Sequence, residues 1–207
     1  MRTELVSATA RRLVAELPRL TPAIAAVAIT TYEPAIGLDA RLGSSGAPPS
    51  VFIDEALRHR GYVEPIIDIP SEALSAAMRQ GPPPNRVRGI CSRVRLRDGT
   101  RGNLPLLDFR CDVAEATADA LLLAMEKLGQ GRGALLVTGR SYHFLGFEPL
   151  PLEAWRGFMS RALLLAPLID VRYVAHCLIE ELACLRIDAH ESRPMEPVVI
   201  RLLPDSA

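Results

Sequence analysis

The stretch ICSRVRLRDGT, residues 90–100, restricts the fold more than any other part of the chain. Arg93, Arg95 and Arg97 alternate with Val94 and Leu96. A helix would scatter that period of two around its circumference, whereas a strand sorts it onto two faces. The run closes in Asp98-Gly99, a turn signal. A half-exposed strand entering a turn calls for a returning partner, and NLPLLDFRCD at 103–112 reads as one.

Downstream, the chain alternates between the two periods. EATADALLLAMEKLGQG (115–131) reads as a helix closed by Gly129, and ALLVTGRSYHFLGF (134–147) as a single strand. PLEAWRGFMSRALLLA (151–166) and DVRYVAHCLIEELACLRI (170–187) read as helices, and EPVVIRLL (196–203) as a last strand. The order predicts an α+β fold with helices packed on one face of a mostly antiparallel sheet. Before the break GPPPN at 81–85 the pieces are largely helical or irregular. They are the opening helix at 1–20, an alanine-rich stretch at 23–31, FIDEALRHRG at 52–61 and PSEALSAAMRQ at 70–80; a second break, GSSGAPPS, lies at 43–50. The organisation expected is an N-terminal helical or irregular region, 1–85, packed on a core formed by 86–207.

Composition limits the partners. Twenty-four basic residues balance 24 acidic ones, so no global field draws the chain to nucleic acid, and an anionic ligand has to be met by a local patch. The N-terminus has no apolar signal region, and no run reaches the ~18 apolar residues of a membrane span. The expected setting is the cytoplasm, with no membrane partner. The four cysteines, in apolar contexts without C-x-x-C spacing, read first as buried thiols, with a disulfide or zinc site as the alternative.

Strand alternation puts chemistry on particular faces. In LPLLDFRCD, Leu106, Asp108 and Arg110 share one side, opposite Leu107, Phe109 and Cys111. In ALLVTGRSYHFLGF, Gly139, Ser141 and His143 share one side, opposite Arg140, Tyr142 and Phe144. Two strands that each show polar residues to the open side of a sheet suggest a site. Arg93, Arg95 and Arg97, with Arg86, Arg88 and Arg101 nearby, form a basic ribbon. It would suit a nucleic-acid backbone or simply guard a solvated edge. On the 170–187 helix Arg172, His176 and Glu180 form one stripe, suited to a phosphate or template strand near Asp170, or to a surface ladder. GQGRG at 129–133 follows a helix and precedes a strand, the reverse of a phosphate loop.

The segments LPLLDFR, TGRSYHFLG and LIDVRY, in this order with helices between them, resemble the archaeo-eukaryotic primase superfamily, over roughly residues 90–200. Those proteins carry an acidic first motif, a Ser-x-His motif and an acidic third motif on an RRM-like sheet. The resemblance implies NTP- and template-dependent nucleotide addition. Asp108 and Asp170 would be catalytic ligands of Mg²⁺ or Mn²⁺, and Ser141 and His143, helped by Arg140, would bind the triphosphate. The first motif departs from the family: it requires two carboxylates at i and i+2, and here Arg110 stands at the second. A guanidinium cannot ligate a metal, though it can pair with Asp108 or clamp a phosphate. Three functions stay open: a primase-like binder of nucleotide triphosphate, DNA or RNA with a degenerate metal site; an active nucleotidyltransferase recruiting Asp112; or a non-enzymatic scaffold that docks a protein partner through its N-terminal region.

Overall fold

A computed structural model describes residues 3–32, 65–191 and 193–204; the expectations for 43–50 and 52–61 lie outside these residues. Helix α1 (Ala10–Leu20) starts where the Thr9 side chain accepts from the Arg12 amide at 3.4 Å, and it buries Leu13, Val14, Leu17 and Leu20. The alanine-rich stretch after it is not helical: it is strand β1 (Ile24–Tyr32). Its alanines carry the helical propensity, but Val27, Ile29, Thr30 and Thr31 are β-branched, and pairing on both sides decides the outcome.

Then come β2 (Ile67–Pro70), α2 (Ser71–Arg79), β3 (Val87–Leu96), β4 (Arg101–Asn103), β5 (Leu106–Asp108) and α3 (Glu115–Lys127). They are followed by β6 (Gly133–Val137), β7 (Tyr142–Gly146), α4 (Leu152–Ala162), α5 (Val171–Glu180), β8 (Cys184–Arg186) and β9 (Val198–Leu203). The fold is α+β with antiparallel pairing throughout, and its strands divide between two sheets. One sheet has the order β2-β1-β3-β4, with β8 also on β3; the other has the order β5-β7-β6-β9. The chain changes sheets within two residues. The Leu104 amide still donates to Ser92 O at 2.7 Å, while Pro105 O already accepts from Gly146 at 2.8 Å.

Two sequence readings change here, and both bear on function. Residues 134–147 are a hairpin, not one strand. Thr138 closes the turn by donating both its amide and its hydroxyl to Ser141 O, and Gly139 takes the φ of +100° that the reversal needs. The helix expected over 170–187 stops at Glu180, because Glu181 turns left-handed at φ 53° and its amide caps Cys177 O. Leu182 and Leu185 are both buried, Leu185 on β8.

A shared apolar core joins the sheets, running from Leu13 and Leu17 through Ile90 and Val94 to Phe144 and Trp155. Gly133 marks how closely it is packed. A Cβ there would lie 2.4 Å from Phe144 Cζ and 2.9 Å from Leu145 O. Gly133→Ala is therefore expected to cost about 1–3 kcal/mol by overpacking. Urea unfolding should show a lower midpoint at unchanged slope; an unchanged midpoint would mean the ring gives way freely.

Candidate functional site

Asp108 is the last residue of β5 and His143 the second of β7, and the register sets them directly opposite each other. His143 Nε2 lies 3.5 Å from Asp108 Oδ1. Beyond β5 the chain meets the segment that leads into α5. Phe109 bridges Ile169, Arg110 N donates to Leu168 O at 2.7 Å, and Asp170 N donates to Asp108 O at 3.0 Å. Residues far apart in sequence thus converge because an edge strand, a hairpin and a helix start share one corner. Asp170 is the N-cap of α5, its Oδ1 accepting from the amides of Arg172 and Tyr173, each at 3.0 Å.

The other expected site residues sit differently. Ser141 is in the β6–β7 turn, where its Oγ accepts from the Cys111 amide at 3.0 Å and so ties the turn to the chain leaving β5. Arg140, Arg110 and Asp112 are exposed around this junction. Arg172 and His176 contact each other on α5, Nε to Nε2 at 3.4 Å.

The charges at the junction are not those of free side chains. Burial, and then the neighbouring Asp170 charge, push the Asp108 carboxyl up to about 7, against the opposing pull of Arg186 and Arg193. Burial pushes the His143 imidazole down to about 3, and the Arg186 charge acts in the same direction. Between those two values the pair therefore holds its proton on the acid, with the imidazole neutral, and near neutral pH the acid is about half protonated.

Arg186 and Arg193 are the residues that sequence reasoning missed. Arg186 falls within the helix expected over 170–187, whereas it lies on β8, opposite Gly89 of β3, and β8 lies against β5. Its side chain is buried, with Nη1 donating to the carbonyls of Asp188 and Met195. Arg193 sits in the loop after β8, paired backbone to backbone with His190. The signal available was an isolated arginine inside an apolar run, CLRI, which is costly to bury without a partner.

One face of the first sheet continues from this corner. Gly89, Cys91, Arg93 and Arg95 of β3 point away from the core residues Ile90 and Val94, with Arg186 beside Gly89, Cys184 beside Cys91 and Arg101 beside Arg95. Cys91 is itself fully buried against Ala28 and Leu182, so the accessible part of this side is the end that carries Arg93, Arg95 and Arg101. A Cβ on Gly89 would lie 2.2 Å from Cys184 Sγ and 3.0 Å from Tyr32 Cε1, so the tyrosine stands on this face too. Arg97 is set apart from it, its Nε donating to Pro22 O at 2.7 Å.

Among the described residues no group of three or more His, Cys, Asp and Glu side chains is placed to hold a metal ion, and no helix is long and apolar enough to cross a membrane. Compared with known proteins, residues 68–198 match a family model described as archaeo-eukaryotic primase 1D-like. No curated protein and no solved structure matches the chain. The matched segment contains all three convergent motifs and both missed arginines.

Proposed function

Because the chain belongs to the archaeo-eukaryotic primase 1D-like family, we propose that the Asp108–His143–Asp170 junction binds the phosphates of a nucleotide triphosphate, and that the arginine-bearing face of β3 and β4 receives a DNA or RNA strand. The observation that carries this reading is the convergence of the motifs on a corner where Arg186 and Arg193 already act electrostatically on Asp108. Two guanidinium groups beside a carboxyl that is half protonated at neutral pH make a corner that accepts an anion.

The donors do not fit a two-metal centre of Mg²⁺ or Mn²⁺. Such a site needs acidic ligands bridging cations about 3.5–4 Å apart. Here one carboxyl resists ionisation, Asp170 has an oxygen committed to two helix amides, and Arg110 occupies the position of the second acid. In this reading the chain's own residues hold the ligand: Arg186 and Arg193 neutralise phosphate charge, Arg110 and Arg140 approach from the exposed rim, and His143, neutral, accepts or donates one hydrogen bond. Nucleotidyl transfer is weak or lost.

Calorimetric titration with ATP and GTP, each with and without Mg²⁺ or Mn²⁺, tests this. Binding is expected without metal and should weaken in His143→Ala; binding seen only with metal would overturn the metal-free arrangement. For the strand, fluorescence anisotropy with labelled single-stranded DNA and RNA is expected to show a salt slope that falls by about 0.7 for each phosphate the protein no longer neutralises. Arg93→Gln, Arg95→Gln and Arg101→Gln should each lower it; an unchanged slope would return the ribbon to a solvated edge.

A second reading has its own support. His143 is only 8% exposed and the Ser141 hydroxyl is engaged within the protein, an arrangement suited to a scaffold that keeps the primase-like fold without binding nucleotide. Absence of nucleotide binding under every condition of the titration would favour it.

A further inference from the structure

The segment between β8 and β9 leaves one sheet and enters the other. Both of its ends are fastened by ion pairs that reach elements away from the site. At the near end Asp188, only 2% exposed, takes three hydrogen bonds from Arg88 of β3: the amide at 2.8 Å and Nε at 3.0 Å on Oδ2, and Nη2 at 2.8 Å on Oδ1. At the far end Glu196 receives a two-pronged contact from Arg11 of α1, Nε to Oε1 at 3.0 Å and Nη2 to Oε2 at 2.8 Å. Arg11 Nε also lies 3.7 Å from Asp188 Oδ1, so one guanidinium touches both anchors.

Between the anchors the segment crosses the site. Arg186 Nη1 bonds the carbonyls of Asp188 and Met195, stapling the two ends together from inside. Met195 packs over the β6–β7 turn, where a Cβ on Gly139 would meet its Cβ at 3.4 Å. Arg193 is carried in the same span, with its charge acting on Asp108. The segment is thus a strap from the first sheet to the hairpin of the second.

We propose that Arg11, Arg88, Asp188 and Glu196 are positioning residues: they set the strap so that Arg186 and Arg193 meet the ligand phosphate, and α1 thereby takes part in a site it does not touch. Paired, hydrogen-bonded charges of this kind fix a unique geometry, and breaking one partner loosens it. The more open pair, Arg11–Glu196, has side-chain exposures of 35% and 16%, so it can be altered without stranding a fully buried charge. This inference rests on the reading of the corner as a phosphate site.

The test uses the full chain with ATP as the probe, following affinity by calorimetry and strap order by amide hydrogen exchange over residues 187–197. Glu196→Gln and Arg11→Gln are each expected to weaken ATP binding about tenfold and to speed exchange in the strap, while the β3 and β7 amides stay protected. Arg11→Lys, which keeps a positive charge between Glu196 and Asp188, is expected to hold both within about threefold of the wild type, a sparing that general destabilisation would not give. Wild-type binding left unchanged in both single variants overturns the positioning role alone. A loss in Arg11→Lys as large as in Arg11→Gln while strap exchange stays normal also overturns it. Absence of binding by the wild-type chain overturns the phosphate reading, and this inference with it.

Discussion

Arg186→Met is expected to lower ATP affinity by about ten- to 150-fold, the largest single-residue effect at the site. A hydrogen bond to a charged group contributes about 1.5–3 kcal/mol, and here the donor is buried and its direction fixed by two carbonyls. Methionine keeps much of the side-chain volume and removes only the charge and the donors. Two features separate this from a rim residue. Arg110→Ala or Arg140→Ala, both exposed, should cost less than about fivefold, because water screens their charges. Raising salt should erode the Arg110 and Arg140 contributions first and leave most of the Arg186 effect. Calorimetry of the three variants at two salt concentrations checks the order. Equal losses at all three positions would mean that the ligand sits at the exposed rim, outside the corner between the sheets.

The convergence of the three motifs was legible in the sequence because each motif places its polar residue next to apolar anchors. Leu106 and Leu107 precede Asp108, Phe144 and Leu145 follow His143, and Ile169 precedes Asp170, all buried. The i, i+2 argument for one continuous strand over 134–147 fails, yet His143 still meets Asp108. The hairpin registers Asp108 against His143 directly across β5 and β7. What could not be read was the pairing. A turn as short as Thr138–Ser141 inside an apolar run leaves little trace beyond Gly139, and a three-residue strand such as β8 carries no period of its own. β8 exists because Gly89 and Cys91 of β3 accept it as a neighbour, which is tertiary information. A helix drawn over 170–187 swallows β8, and with it go Arg186 and the buried Arg88–Asp188 pair. The arginine ribbon fared better: Arg93 and Arg95 do share a face, since a strand's alternation is local.

The titration of Asp108 and His143 gives a second large effect, visible only when the pair is broken. In the unfolded chain between about pH 4 and 6.5 the acid is ionised and the imidazole protonated. In the folded chain the proton stays on the carboxyl, raised to about 7, and the imidazole, lowered to about 3, remains neutral. Both states then bind one proton, so the pair adds almost no slope to stability over that window.

Removing either partner unmasks the other. In Asp108→Asn only His143 remains. Its folded value is depressed, so the unfolded state binds the extra proton below about 6.5, and stability falls on acidification by up to about 1.4 kcal/mol per pH unit. In His143→Asn only the raised Asp108 remains. The folded state is then the one holding the extra proton, so stability is greatest at low pH and falls as pH rises toward about 7. That slope is shallower, because 35% of the Asp108 side chain is open to solvent and screening reduces the shift. Urea unfolding at pH 4.5, 5.5, 6.5 and 7.5 should therefore give opposite trends for the two variants, with the wild-type chain between them. Parallel trends would mean that Asp108 is ionised in the folded protein at neutral pH. The corner would then hold a carboxylate pair beside its arginines, and a cation as well as a phosphate would have a place in it.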